Sequence, residues 1–563
     1  MSFTPATAEQ RFVLEHIVGL GEISEEAAEM MDPVLEGAGQ FAAGEWAPLE
    51  REGDVDGPKW TEQGVRMPAG FADAYKAYVE GGWGTIGSPA DFGGQGLPVS
   101  LSVAVLETLG TANMGFALAP ILTVGAIEAL THHGSPEQQA LYLPKLATGE
   151  WTGTMNLTEP QAGSDVGALK SKADPVGDGT YKVKGTKIFI SFGDHDMADN
   201  IVHLVLARTP DAPAGTKGLS LFLVPKYRLN EDGMPGAFND VRTVSIEHKM
   251  GLHASPTCVL SFGDHDDCIG ELIGGEFGGI RAMFTMMNNA RLNVGLQGVQ
   301  VAERATQRAV GYARERVQGV RAGAPAAIVE HPDVRRMLLR MKAQTQAARA
   351  LVYYAFGQLD RARAGDAEAN KRVELLTPLA KAHATDLGNE VASLGVQVHG
   401  GMGYIEETGA AQHFRDARIT PIYEGTNGIQ AADLVGRKLS MDNGGTLLTL
   451  LAEMRGDAED AELLRLIDAC EEVARNLLTS EPDDRLAASY PFLTMLSVAV
   501  CGWLMEGSGR IAARSEATAF LRMKHAAARF YVEQIVPEAI GLKAAAMAKA
   551  ELLYAVDAET FAA

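Results

Sequence analysis

The chain has 563 residues, of which 46% are hydrophobic, 21% charged and 7% aromatic. That balance excludes a mainly disordered, collagen-like or disulfide-stapled protein, and the length suggests about three to five domains. Lys and Arg total 49 against 72 Asp and Glu, a formal charge of −23; so acidic a surface repels nucleic acid, and no nucleic-acid partner is expected.

Residues 1–153 read as helical. Ser135-Pro-Glu-Gln138 marks one helix start, with a capping pattern and proline at the first helical position, and Pro144 is expected to mark its far end. The run from Ser88 to Pro98 reads as a loop on its glycines and prolines. From 154 to 275 the pattern becomes short β-type runs, at Tyr181–Ile190, Asn200–Ala207, Leu219–Val224 and Cys258–Phe262. No helical stretches alternate with them, so a small, largely antiparallel barrel or sandwich is expected. The helical period returns over 276–440, as in the stripe Val334, Met337, Leu338, Met341, Ala348, Leu351, Val352 and Ala355. Met441–Thr446 reads as a linker, and 447–563 as an additional helical domain. The apolar run Phe492–Met505 is too short to span a bilayer and is expected to be a core helix. The N-terminus lacks the pattern of a secretory signal, and the four cysteines lack metal or disulfide spacing; a reduced, cytoplasmic chain without a membrane span is expected. No metal site is expected at His195, His248, His253 or His265. Glu303, Gln307 and Arg308 read as solvated helix surface.

Four segments carry candidate chemistry. Met155-Asn-Leu-Thr-Glu-Pro-Gln-Ala-Gly-Ser-Asp165 runs from a strand-like opening into a turn that could bind phosphate through backbone N–H groups or serve only as a structural turn. Gly185-Thr-Lys-Ile-Phe-Ile-Ser191 places a hydroxyl after an apolar strand, where it could reach a ligand on the sheet. Leu394-Gly-Val-Gln-Val-His-Gly-Gly-Met-Gly-Tyr404 ends a helical region with four glycines, without a dinucleotide or Walker spacing. In Arg415–Gln430, Glu424 sits between apolar residues and a Gly-Thr-Asn-Gly turn. An apolar pocket raises a carboxyl toward neutrality, as a general base requires; a helix-capping role is the alternative.

Together and in this order, the segments resemble the flavin-dependent acyl-CoA dehydrogenase family: Thr-Glu-Pro-x-Ala-Gly-Ser-Asp at 158–165, Gln397-Val-His-Gly-Gly401, and Tyr423-Glu-Gly-Thr426. The resemblance runs from about Gly70 to Arg437. It implies an α+β, mostly α fold: an N-terminal helical domain, a middle β-barrel domain, a C-terminal four-helix bundle and here the extra helical domain. It also implies FAD as cofactor. Met155, Leu157, Thr158, Gly163 and Ser164 would line the flavin, Phe189, Ile190 and Ser191 would flank its ring, and Thr426 and Gly428 would complete the site. Arg316, Gln318, Gln397, Gly400 and Gly401 would reach the FAD of a neighbouring subunit, so a homo-oligomer, preferably a dimer, is implied. Ser164, Asn288, Arg291 and Gly425 would face the acyl-CoA substrate. Glu424 would be the base that removes the α proton while hydride leaves the β carbon for the flavin. Electron-transferring flavoprotein would be the acceptor, as in relatives; an acyl-CoA oxidase is the alternative. His248–Cys258 and the longer C-terminal region resemble an enlarged subgroup. That implies a short, sulfur-containing substrate such as 3-(methylthio)propanoyl-CoA, from dimethylsulfoniopropionate degradation, with other short, medium or long acyl chains as alternatives.

Overall fold

The computed structural model describes residues 3–563. They divide into two compact units, one of residues 33–290 and one of 3–32 with 291–563.

The unit of 33–290 is built on an eight-stranded sheet: β1 (Trp151–Asn156), β2 (Lys172–Pro175), β3 (Thr180–Ser191), β4 (Asn200–Ala207), β5 (Ser220–Pro225), β6 (Val241–Ile246), β7 (Thr257–Phe262) and β8 (Ile269–Ile273). Its order is β6-β7-β3-β8-β5-β4-β1, with β2 also on β3. All pairs are antiparallel except β1 with β4. The β4 and β5 runs are buried throughout, and largely apolar without alternation, because both faces of the sheet are covered. Val202, Leu204, Leu206, Leu221 and Leu223 pack in one core with Ala126, Ile127, Leu130, Leu143 and Leu146 of the flanking helices. Val205, Ala207, Phe222 and Val224 pack in a second core with Val183, Ile190, Leu260 and Phe262. The helix begun by Ser135 carries the full capping box: its hydroxyl accepts from the Gln138 amide and the Gln138 side chain accepts from the Ser135 amide. Pro144 does not end that helix, which runs on to Thr148 and stops at Gly149 in the left-handed conformation. Pro144 forgoes the amide bond to the Ala140 carbonyl without ending the helix, and glycine supplies the stop.

The other unit is helical. Its long members are α1 (Gly279–Glu315, from Arg291 onward in this unit), α2 (Pro332–Arg363), α3 (Ala367–His399) and α4 (Ser489–Arg514). Asp366 caps α3 by accepting from the Glu368 and Ala369 amides. Gly295 and Gly298 let α1 cross α3 closely: a Cβ on Gly298 would lie 2.1 Å from the Ala384 carbonyl oxygen, and one on Gly295 2.7 Å from that of Ala380. Phe492–Met505 forms part of α4. At 26 residues that helix is long and apolar enough to cross a membrane, as is Met114–His133, so length does not exclude a span; both bury most of their residues within the protein, as core helices do. Glu303 is not solvated surface either. It is buried and paired with the fully buried Arg349 at 2.9 Å. Burial alone would raise its carboxyl, but Lys342 and Arg349 outweigh that and hold it well down. Charges on a helix read as surface only until a second helix covers them.

Candidate active site

Glu424 lies in the short connection between the helices Ala410–Ala417 and Asn427–Asp433. Its backbone is left-handed, φ +55°, followed by Gly425 at +82°. A side chain in that region costs about 1 kcal/mol or more, so neighbouring contacts must hold it there. They are specific. Gln430 Nε2 donates long bonds to the carbonyls of Glu424 and Gly425, 3.4 and 3.3 Å, and Arg291 Nε donates to the Glu424 carbonyl at 3.4 Å. Lys381 Nζ, buried on α3, donates to the Gly425 carbonyl at 2.9 Å and to Asn427 Oδ1 at 2.8 Å. Thr426 caps the following helix by accepting from the Ile429 amide. The Tyr423 hydroxyl donates to Gln297 Oε1 on α1. The close α1–α3 crossing thus serves the site: it carries Arg291 and Lys381 to one short loop.

The Glu424 carboxyl is pushed up to about 7. Loss of hydration is the leading cause, partly offset by the Arg291 and Lys381 cations. Some of its surface stays open, yet surrounding protein still governs its protonation. Lys381 is pulled below the ordinary lysine range, again chiefly by burial, against the attraction of Glu424 and Asp386. A carboxylate poised near neutrality, with one face open, can take a proton from a carbon acid.

On the other unit, the segments expected to line a flavin are tied together. The Ile188 amide donates to the Thr158 carbonyl at 2.9 Å, and Lys187 Nζ donates to the Leu157 carbonyl at 3.0 Å. Lys187 also pairs with Glu159 at 2.9 Å, both buried. Glu159 further accepts from the Ser171 hydroxyl and the Lys170 and Ser171 amides. Burial would raise this carboxyl, but these partners hold it well below its usual range. Met155, Leu157 and Thr158 are half-buried; Gly163 and Ser164 are exposed in the turn; Ile190 is buried and Ser191 half-buried. Phe189 is 60% exposed and left-handed, φ +61°. An exposed aromatic ring in a strained conformation, and an open glycine turn on the segment tied to it, fit the edge and phosphates of a flat, anionic cofactor such as the expected FAD.

Asn288 and Arg291 lie one turn apart on α1, and Arg291 is buried against the Glu424 loop. Gly428, in the first turn of Asn427–Asp433, is exposed. Arg316, Gln318, Gln397, Gly400 and Gly401 are all exposed. Gly400 takes φ +61° where α3 ends, and a Cβ on it or on Gly401 would meet nothing within 4 Å. The structure does not place these five within the hydrogen-bonded cluster around Glu424. Among the described residues, no group of histidines, cysteines or carboxylates could hold a metal ion.

Sequence reading missed Lys381, Asn427, Gln430 and the Lys187–Glu159 pair. A signal existed for Lys381, which stands in the apolar run Leu379-Ala-Lys-Ala, where a buried charge needs a partner. Lys187 follows the exposed Lys182 and Lys184 and gave no such signal.

The sequence matches the family pattern described as acyl-CoA dehydrogenase, N-terminal domain, over residues 29–150; the middle domain over 154–265; the C-terminal domain over 278–439; and an acetyl-CoA dehydrogenase C-terminal-like domain over 447–557. It is 45% identical to a 3-methylmercaptopropionyl-CoA dehydrogenase of Ruegeria pomeroyi, over 96% of this chain and 97% of that one. The fold is similar to Caenorhabditis elegans ACDH-11 in complex with C11-CoA, with a TM-score of 0.80 at 22% identity over 95% of this chain and 92% of that one. It is also similar to an acyl-CoA dehydrogenase of Bacillus anthracis complexed with FAD, with a TM-score of 0.74 at 24% identity over 95% and 90% of the two chains.

Proposed function

The chain belongs to the acyl-CoA dehydrogenase family, and from that premise we propose that it introduces a double bond between the α and β carbons of a short acyl-CoA, 3-(methylthio)propanoyl-CoA foremost. The observation that carries the reaction is Glu424: a carboxyl near neutrality, held in a strained left-handed loop with cations on one side. Glu424 takes the α proton. Arg291 and Lys381 keep the carboxylate available and hold the carbonyls on either side of the strained bond. FAD, when bound, supplies the acceptor for the β hydrogen and its electron pair. Met155–Ser164 and Phe189–Ser191 would hold it, and the buried Lys187–Glu159 pair keeps those two segments in register.

The substrate rests on the likeness to the Ruegeria enzyme along nearly the whole of both chains, including the additional C-terminal region. A homodimer suits the five exposed residues assigned to a neighbouring cofactor. A cytoplasmic location suits four free, buried thiols. Electron-transferring flavoprotein is the proposed acceptor. The test is anaerobic bleaching of the flavin by a panel of CoA thioesters. 3-(Methylthio)propanoyl-CoA should bleach it fastest, with butanoyl-CoA next; faster bleaching by a long-chain thioester would overturn the substrate assignment, and no bleaching by any would overturn the activity. Stoichiometric hydrogen peroxide in air, with no rate gain from electron-transferring flavoprotein, would reassign the protein as an oxidase.

A further inference from the structure

The Glu424 loop is held from behind by a relay that ends outside the helices bearing the reaction. Lys381 Nζ grips the Gly425 carbonyl and Asn427 Oδ1, at 2.9 and 2.8 Å. Asn427 Nδ2 donates to Asp386 Oδ1 at 2.8 Å, and also lies 3.0 Å from the Ala382 carbonyl and from Thr385 Oγ1. The other oxygen of Asp386 accepts from the Tyr490 hydroxyl at 2.6 Å. Tyr490 belongs to α4, in the segment matched by the acetyl-CoA dehydrogenase C-terminal-like domain. Its hydroxyl therefore links the additional domain to the residue after the base through three side chains.

We propose that the additional C-terminal domain positions the catalytic base: Tyr490 orients Asp386, Asp386 orients Asn427, and Asn427 with Lys381 holds Glu424–Gly425 in its left-handed conformation. A non-glycine residue at φ +55° relaxes to ordinary backbone unless its surroundings over-determine it. Asn427 is the part best placed to do that, since its amide is saturated: the oxygen takes Lys381 and the nitrogen faces α3. A carboxylate oxygen is the acceptor that fixes which way the amide points, and the phenol fixes the carboxylate. Asp386 is itself pushed up by burial, so a neighbouring donor matters for keeping it ionised. Tyr490, Asp386 and Asn427 are positioning residues; none is assigned to touch the substrate.

The kinetic part rests on the acyl-CoA dehydrogenase reading above, so the test has one arm that does not. Tyr490→Phe removes only the hydroxyl. In holoenzyme, hydrogen–deuterium exchange over 420–430 should quicken, whether or not the protein turns over any thioester. With a thioester that bleaches the wild type, kcat should fall roughly 5-fold with KM and flavin content unchanged, as expected when a reacting group is misplaced and binding is not. Tyr490→Phe combined with Asp386→Asn should be no worse than Asp386→Asn alone, because the two act in series. The matched control is Trp503→Phe, which removes another hydrogen bond of the same helix, from Nε1 to Asp457 at 2.9 Å; it should leave both readouts at wild type. Unchanged exchange over 420–430, or faster exchange with unchanged kcat, overturns the proposal, as does an equal effect of Trp503→Phe. A wild type that reacts with no thioester sinks the reading of the activity, while the exchange arm still decides the relay.

Discussion

A carboxyl of ordinary acidity is ionised at neutral pH but is a poor base toward a carbon acid; one pushed up to about 7 is a better base and still half ionised. The sign of its pH dependence follows. As the proposed base, Glu424 would act only when deprotonated, so kcat/KM should rise with pH and level off above about 7. Lys381→Met removes a cation that favours the carboxylate, which should move that rise to higher pH, as a pH–rate profile with bound flavin confirmed by absorbance will show. Linkage gives a matching sign for stability. The folded state binds the Glu424 proton more tightly than the unfolded chain, so this residue's contribution is best at low pH and is lost as pH climbs from about 4.5 to about 7. Glu424→Gln should therefore gain stability over wild type more at pH 8 than at pH 5 in denaturant titrations. The same substitution should keep the yellow, FAD-bound protein and lower turnover by about 10²-fold or more, the usual worth of a general base.

At the scale of single elements, the sheet and the long helices solve different problems. The strands β4 and β5 are buried on both faces and largely apolar, so register there rests on the few buried polar ties, such as Thr154 Oγ1 on β1 against His203 Nδ1 on β4 at 2.7 Å; Lys187–Glu159 is another such tie in the same unit. Breaking one partner of such a pair strands the other charge. Lys187→Met should cost about 3 kcal/mol, and adding Glu159→Gln should restore part of it, measured by urea unfolding of the flavin-containing protein. The helix from Pro136 depends on its capping box in a smaller way, and Ser135→Ala should cost about 1 kcal/mol in the same measurement. These two devices differ in legibility. A Ser-Pro-Glu-Gln sequence announces its cap because both partners are three residues apart. Lys187 and Glu159 are 28 apart and meet only when β3 folds back along the turn after β1.

Across the whole chain, the second unit joins its two ends. Glu9 accepts from the buried Lys524 at 2.7 Å and, through its other oxygen, from Gln346 on α2 at 2.7 Å. Burial lowers Lys524 and the Glu9 charge acts against that, so the ammonium depends on a residue 515 positions away. Glu9→Ala should destabilise this unit by about 3 kcal/mol and lower the temperature of the unfolding transition in calorimetry, with little effect on the flavin absorbance of the folded protein. The division of the chain reflects such ties: residues 3–32 belong with 291–563, although composition alone groups them with the helices that follow.

Sequence by itself determined the order of helical and β regions and the capped helix, and it singled out the 158–165 turn and Glu424 as candidates, because each is written in residues close together along the chain. A period, a cap or a Tyr-Glu-Gly-Thr motif needs no partner to be recognised. Tertiary structure decided what surrounds them. It buried Glu303 and Lys381, routed Tyr490 to Asp386, and let Gly295 and Gly298 bring α1 against α3. Those contacts join residues tens to hundreds of positions apart, and loss of hydration, which sets the charge of every buried group here, depends on which distant surface comes to cover it.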